Sequence, residues 1–279
     1  MWTRKTFAAL VQPPVIGMVH LPPLPGAPRW QGDWAGVQTS TLRDAARLSE
    51  GGVGAVMVEN YHDVPFFPAR VPPSTVAAMT ALLSEIRRQY PNLPLGVNVL
   101  RNDANAALAI AQAVNAQFIR VNVHAGAAVT DQGLLQGMAH HTLRLRRDLA
   151  ANVGILADLR VKHAAPLVTR PLVAEARDLR LRALADGLIV TGPATGFATA
   201  PEDLAPLRTE LIDCPLLVGS GITPQNISRY SRIADGYIVG TALKGPQGAI
   251  ASERVAEVVV AVQKISVTGE STTGRKDIE

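Results

Sequence analysis

Eight short runs rich in Val, Ile and Leu punctuate the 279-residue chain, and a longer stretch rich in Ala, Leu and Arg separates each from the next. They are Val15 to Val19, Ala55 to Val58, Leu95 to Val99, Phe118 to Val123, Val153 to Ala157, Gly187 to Val190, Leu216 to Val218 and Tyr237 to Val239. Strands that are apolar throughout are buried on both faces, and their alternation with helices is the signature of a parallel sheet. Eight such strands close a barrel. The expected fold class is therefore α/β, a single-domain (β/α)8 TIM barrel over residues 1–267. Residues 268–279 are polar and aperiodic and are read as a disordered tail. An open doubly wound sheet alternates in the same way. Against it, the first run lacks a following Gly-x-Gly-x-x-Gly, and polar residues follow nearly every run instead of gathering at one crevice.

Helices are expected near residues 34–51, 74–90, 103–115, 133–151, 172–184, 201–211, 224–233 and 250–264. Asp33, Ser74, Asp103 and Thr223 stand at N-cap positions, Pro224 at a first turn, and Gly51-Gly52 closes the first helix.

A composition that is 47% hydrophobic and 18% charged supports one large core. The 27 Lys and Arg against 23 Asp and Glu leave a formal charge of +4, too thin and too scattered for a nucleic-acid partner. A modest attraction to anionic membrane surfaces stays open, so peripheral association is compatible with the chain. No segment reaches the roughly 18 apolar residues of a membrane helix, and the first dozen residues make a poor secretory leader. Cys214 is the lone cysteine, beside the apolar Pro215 to Val218, and is expected as buried filler in a reducing, cytoplasmic setting. A homo-oligomer is expected.

In a barrel of this kind the C-terminal strand ends form one mouth, so the residues after each run should converge. They are His20; Glu59 and Asn60; Asn98, Arg101, Asn102 and Asp103; Arg120, Asn122 and His124; Asp158, Lys162 and His163; Thr191 and Gly192; Gly219, Ser220 and Gly221; and Gly240, Thr241 and Lys244. Arg120, Asn122 and His124 share parity and should all point inward. A charge there must be paired, and Glu59 or Asp158 is the expected partner. Gly219-Ser220-Gly221 and Gly240-Thr241 suit phosphate, because glycine lets backbone N–H groups approach the anion. Gly192-Pro193-Ala194-Thr195-Gly196 would complete that wall and serve as a lid.

Acid–base work falls to Glu59, Asp103, Asp158, Lys162 and His163, which the sequence does not rank. Lys162 suits either a Schiff base or phosphate pairing, and Lys244 suits phosphate pairing. His20, His124 and His163 would serve a metal hydrolase, but no His-x-His follows the first run, so neither a metal nor a cofactor is expected. His140-His141 read as surface residues of a helix. The stretch His20-Leu21-Pro22-Pro23-Leu24-Pro25-Gly26-Ala27-Pro28 is read as a stiff loop over the mouth in preference to a proline-rich ligand for another domain.

The segments Val15-Ile16-Gly17-Met18-Val19-His20-Leu21-Pro22-Pro23-Leu24-Pro25-Gly26, Val58-Glu59-Asn60, Gly96-Val97-Asn98-Val99-Leu100-Arg101-Asn102-Asp103, Phe118-Ile119-Arg120-Val121-Asn122, Val161-Lys162-His163 and Gly219-Ser220-Gly221 carry a resemblance. Over about residues 13 to 264 the chain resembles the BtpA/SgcQ family, named for a photosystem I biogenesis protein and a bacterial sugar-operon protein. The resemblance implies a TIM-barrel type related to phosphate-binding barrels, with no reaction assigned to the family as a whole. It implies either a role in photosystem I accumulation at the thylakoid surface or an enzyme acting on a sugar or nucleoside derivative. Tyr61-His62-Asp63-Val64-Pro65-Phe66 and Gly192 to Gly196 depart from the pattern and put the substrate, more than the fold, in question.

The expectation is an enzyme binding a small phosphorylated metabolite at the mouth, with lyase, isomerase or aldolase chemistry. Asp158 with Glu59 or Lys162 would move protons, and Arg120 would act with them. His20, Asn60, Asn98, Arg101, Asn102, Asp103, Asn122, His163 and Thr191 would hold the substrate. Gly192, Gly219, Ser220, Gly221, Gly240 and Thr241 would hold the phosphate. A non-catalytic photosystem I assembly or stability factor is the alternative, and a metal-dependent hydrolase the third.

Overall fold

The computed structural model describes residues 2–192 and 200–270. Its strands are β1 (Val15–His20), β2 (Ala55–Glu59), β3 (Leu95–Asn98), β4 (Phe118–Val121), β5 (Ala127–Thr130), β6 (Gly133–Gln136), β7 (Gly154–Arg160), β8 (Ala164–Pro166), β9 (Gly187–Val190), β10 (Leu216–Val218) and β11 (Gly236–Val239). Eight of them, β1-β2-β3-β4-β7-β9-β10-β11, pair in parallel and close on β1. This is the (β/α)8 barrel expected from the eight runs.

Period-2 alternation sorts each strand into an outward face packed on helices and an inward face. Ile16, Met18, Ala55, Met57, Phe118, Leu156, Ile189, Leu217 and Ile238 form the interior cluster. Gly96 has no side chain because the Phe118 ring occupies that space, and a Cβ there would collide with it. A helix not anticipated from sequence, α1 (Arg4–Leu10), closes the floor with Phe7. Trp2 lies edge-on to Phe118 at 6.4 Å.

The outer layer holds α2 (Trp34–Glu50), α3 (Pro73–Gln89), α4 (Ala104–Ala113), α5 (Ala139–Asp148), α6 (Leu172–Arg177), α7 (Pro201–Glu210) and α8 (Ser252–Glu270). Asp33 caps α2 by accepting from the Gly36 N–H at 2.8 Å, and Asp103 caps α4 through the Ala106 N–H at 2.9 Å. Ser74 lies inside α3, whose N-cap is Pro72, so the expected serine cap is not used. The expected helix over 133–151 begins only at Ala139, because residues 133–136 form β6, a hairpin with β5. The one over 224–233 shrinks to a 3-10 turn, Ile227–Tyr230: Asn226 Oδ1 accepts the Thr223 N–H at 2.9 Å, so Thr223 is capped by its neighbour and caps nothing. Residues 172–184 become α6 and a π-helical turn, Asp178–Arg182.

Strands β6, β5 and β8 form an antiparallel sheet over one side of the mouth, and Ala128 and Leu135 pack beneath it on Val123. Helix α8 runs on to Glu270, into the stretch read as tail, while residues 271–279 lie outside the described residues. Cys214 is buried as expected, and burial pushes its thiol up to about 11. Among the described residues no helix is long and apolar enough to cross a membrane.

Candidate functional site

The barrel register itself builds a polar ring. His20 lies opposite Glu59, Glu59 opposite Asn98, and Asn98 opposite Arg120, each on the strand beside it. All four share inward parity with the apolar layer below. Asp158, inward from β7, completes the ring by taking the Arg120 guanidinium in a fork, Nε to Oδ1 at 3.1 Å and Nη2 to Oδ2 at 3.0 Å. Asn122 donates to the same Oδ2 at 2.7 Å. The Asp158 side chain is 0% exposed and that of Arg120 7%. Of the two partners expected for Arg120, Asp158 is the one used. Burial opposes the Arg120 charge, but the Asp158 and Glu59 carboxylates outweigh it and hold the guanidinium above its ordinary pKa. Asn98 Nδ2 donates to the Arg120 carbonyl at 3.1 Å, while the Oδ1 atoms of Asn98 and Asn122 are buried with no donor.

Glu59 stands apart from that ion pair. Burial pushes its carboxyl above the usual carboxylate range, against the opposing pull of Arg120 and Lys162. Its nearest charged-type neighbour is the His20 ring, with Nε2 to Oε1 at 3.8 Å. His20 stacks on Tyr61 at 4.3 Å, and its Nδ1 lies 3.0 Å from Lys244 Nζ. Burial, then the Lys244 charge, lowers the His20 pKa to about 3. The neutral ring accepts from Lys244 at Nδ1, so its proton sits on Nε2, facing Glu59. Burial also lowers the Lys162 ammonium, helped by Arg120 nearby, and lowers Lys244.

Over Glu59, Arg120 and Asn122 opens a cavity of about 480 Å³, walled also by Arg101, Lys162 and His163. Arg29, Tyr61, His62 and Asp131 stand on it too; none was expected as a site residue, although Tyr61 and His62 fall in the segment that departs from the family pattern. The first three follow the mouth-facing runs by a few residues, so their place after the strands was a usable signal. Asp131 lies in the β5–β6 turn, just before the stretch 133–151 that had been read as a helix. The six glycine-turn residues are not among those lining this cavity. Of the six, Gly240 lies against the ring: a Cβ on it would approach His20 Cε1 to 3.3 Å. Gly221 adopts φ +63°, and Asn226 Nδ2 ties its carbonyl at 2.7 Å. Gly192 is buried, whereas Pro193, Ala194, Thr195 and Gly196 of the expected lid lie outside the described residues.

Several expected substrate residues turn out to hold loops. Asn60 binds the Leu100 N–H at 2.7 Å and Asn102 clamps Val123 through both backbone groups, at 2.8 and 2.9 Å. Asp103 is occupied by the α4 cap and by the Val71 N–H at 2.9 Å. Asn102 and Asp103 line a smaller hollow of about 280 Å³ against α5, away from the ring. Thr191 Oγ1 donates to the Arg160 carbonyl at 2.8 Å. His124 does not join the inward trio: β4 ends at Val121, the alternation lapses, and the ring Nε2 meets the Ala183 carbonyl at 3.0 Å. His163 is exposed at the rim, so His20, His124 and His163 do not converge. Among the described residues no three His, Cys, Asp or Glu side chains are grouped to hold a metal ion. His140 and His141 are exposed on α5, as expected.

A closed parallel barrel with an ionisable ring at its C-terminal mouth defines the class as a (β/α)8 barrel of enzyme-like build. Within it the chain belongs to the BtpA family, whose sequence profile matches residues 11–264. It is 46% identical over 231 residues to the photosystem I biogenesis protein BtpA of Synechocystis sp., covering 83% of this chain and 80% of that one. It is also 46% identical over 235 residues to an uncharacterized protein of Thermococcus kodakarensis, covering 83% and 87%. Among solved structures, the (S)-3-O-geranylgeranylglyceryl phosphate synthase of Thermoplasma acidophilum, in complex with sn-glycerol-1-phosphate, superposes with a TM-score of 0.60. That match covers 95% of this chain and 99% of the other at 16% identity, a likeness of fold.

Proposed function

We propose that the protein is an enzyme that binds a small phosphorylated metabolite, of the sugar phosphate or nucleoside type, at the barrel mouth. Its chemistry is proton transfer, as in a lyase, isomerase or aldolase. The observation that carries this is Glu59. It is a buried carboxyl, held toward its protonated form, on the wall of a cavity it shares with a lysine whose ammonium is held toward its neutral form. A carboxyl raised above its ordinary range, with a cation on the same wall, suits an acid–base role. In this reading Glu59 exchanges protons with the substrate, with the Lys162 ammonium on the same cavity and the His20 ring beside the carboxyl, Nε2 3.8 Å from Oε1. The Arg120–Asp158 fork is rigid and presents fixed charge to the reacting centre. Phosphate sits on the N–H groups of Gly219, Ser220, Gly221, Gly240 and Thr241, near Lys244, and the sn-glycerol-1-phosphate bound by the structural neighbour supports a phosphorylated ligand.

The test is a thermal-shift screen of phosphorylated sugars, nucleotides and inorganic phosphate. A ligand at 100 times its Kd adds about 2.7 kcal/mol of stability. Compounds that stabilise the protein are then incubated with it in D2O and followed by NMR. Deuterium entering the compound with the wild type but not with Glu59→Gln supports the reading. Stabilisation that survives Gly221→Asp, or deuterium exchange that survives Glu59→Gln, overturns its parts.

The second reading is a non-catalytic assembly factor at a membrane complex. It draws on the name of the cyanobacterial relative and on four apolar side chains exposed on or beside the antiparallel sheet: Val129 (47%), Leu134 (50%), Leu167 (60%) and Val168 (68%). Sedimentation with anionic lipid vesicles, lost when Leu167 and Val168 are changed to Ser, together with silence in the ligand screen, would favour it.

A further inference from the structure

Three arginines are buried in the described residues, and two are fully engaged. Arg120 has its carboxylate, and Arg180 donates to three backbone carbonyls, of Trp2, Ala185 and Asp186. Arg101 is different. At 7% exposure it makes one hydrogen bond, Nη2 to the Lys162 carbonyl at 2.6 Å, and has no carboxylate within ion-pairing distance. A guanidinium has five donors, and burying it unpaired costs several kcal/mol. The ammonium of Lys162, half-buried on the same wall, has no hydrogen-bond or ion-pair partner among the described residues. Of the carboxylates nearby, Asp158 is taken by Arg120 and Asn122, while Asp131, exposed in the β5–β6 turn at the rim, bonds the Gln132 amide and makes no ion pair with Arg101 or Lys162 among the described residues. Glu59 is held toward its neutral form by burial. The cavity of about 480 Å³ therefore has Arg101 and Lys162 together on its lining with no carboxylate in ion-pairing distance of either, in a volume that suits a small metabolite.

We propose that Arg101 and Lys162 form a second anion subsite, so that the ligand carries an oxyanion, carboxylate or phosphate, at the end opposite the phosphate held by the glycine turns. This rests on the phosphorylated-metabolite reading and narrows it to compounds anionic at both ends. Arg101 supplies the planar fork that takes two oxygens at once, and Lys162 adds a point charge beside it. The Lys162 carbonyl fixes the guanidinium from behind, so the fork is set before a ligand arrives. With phosphate on the β10 and β11 turns and the second anion over β3 and β7, the chain between them lies across Glu59.

The experiment measures affinity by titration calorimetry for three probes: glucose 6-phosphate, 6-phosphogluconate and fructose 1,6-bisphosphate. They share a phosphorylated polyol and differ in the other end, which is neutral, a carboxylate or a second phosphate. The wild type should bind one or both two-ended anions about tenfold or more tighter than glucose 6-phosphate, and which one separates carboxylate from phosphate. Arg101→Gln should erase that advantage while leaving glucose 6-phosphate within about twofold, and Arg101→Lys should restore part of it. Circular dichroism and melting of each variant report whether the loop has survived. Equal affinity of the wild type for all three probes, or a uniform loss in Arg101→Gln, overturns the second subsite and leaves the phosphate reading standing. Failure of all three to bind at millimolar concentration overturns the sugar-phosphate form of the reading and the second subsite with it. Gly221→Asp is expected to weaken all three alike, which separates the two sites.

Discussion

Replacing Arg120 by Met tests how the ring is held together. Two charge-assisted bonds are lost, at 3.1 and 3.0 Å, and Asp158, with a side chain that is 0% exposed, keeps only the Asn122 amide as donor. Each such bond contributes about 1.5–3 kcal/mol. Removing one partner of a buried pair costs about 3–5 kcal/mol, because the remaining charge is desolvated without compensation. For a chain of this size that lowers Tm by roughly 2–4 °C per kcal/mol, or about 6–20 °C in all. Removing both charges, in Arg120→Met with Asp158→Leu, takes away the uncompensated carboxylate and leaves mainly the Asn122 amide unpaired, at about 1–3 kcal/mol. The double variant should therefore be the more stable of the two, by about 2 kcal/mol at the middle of the two ranges. Urea unfolding followed by circular dichroism, with calorimetry for Tm, gives both numbers. A single variant that loses less than about 1 kcal/mol, or a double variant no better than the single, refutes the account of Arg120 as a charge held by Asp158. For the same reason Arg120→Ala is a poor probe of turnover: it removes a reacting-centre charge and a structural one together.

Glu59→Gln should raise stability at neutral pH while abolishing proton exchange. Because the folded carboxyl has a raised pKa, its contribution is present below the unfolded value near 4.5 and is lost as pH rises through the folded value, so the difference in Tm between variant and wild type should widen with pH. His20 has the opposite sign. With a folded pKa near 3 against about 6.5, the unfolded chain takes the proton first, so this group favours unfolding as pH falls through that window. Its ring resonances should stay flat from neutral pH to about 5, and a midpoint near 6.5 would contradict the burial and the Lys244 contact. Phe7→Ala, which empties a fully buried position under the barrel, should cost about 3–5 kcal/mol in urea unfolding.

The eight barrel strands were legible because a strand buried on both faces has no polar positions to blur its run, and Val153 to Ala157 or Leu216 to Val218 stand out against their helices. The hairpin at Ala127 to Gln136 was not. Its strands are four residues each, half exposed, and Leu134-Leu135 run on toward the amphipathic pattern of α5. Gly133, at φ +90°, was the available sign of a turn. Helix α1 went unseen because its two turns bury little beyond Phe7, too short a pattern to register as periodic. At the site, Arg120 was legible as an inward charge in need of a partner, since alternation pointed it inward and physics demanded a counter-charge, but the pattern did not choose between Glu59 and Asp158. The roles of Asn60, Asn102 and Asp103 were not legible, because a side chain that clamps a backbone is written with the same letters as one that holds a substrate. Which it does depends on distances between loops after β2, β3 and β4, set only once the strands are in register.

The floor of the barrel has a bearing on how the chain assembles. Helix α1 precedes every strand, yet its surroundings come from the far end of the chain: the Trp2 N–H reaches Asp186 at 3.1 Å, Arg180 reaches the Trp2 carbonyl at 2.7 Å, and Arg4 pairs with Asp235 at 2.5 Å. Contacts separated by 178 to 231 residues carry a high loop-closure cost and form late. The segment that leads the chain is thus the last to be seated, like a cork fitted after the vessel is blown. Until β9 and β11 have joined, the apolar underside around Phe118 and Leu156 stays open to water and to other chains. Barrel closure and protection from aggregation therefore arrive together, in one late step.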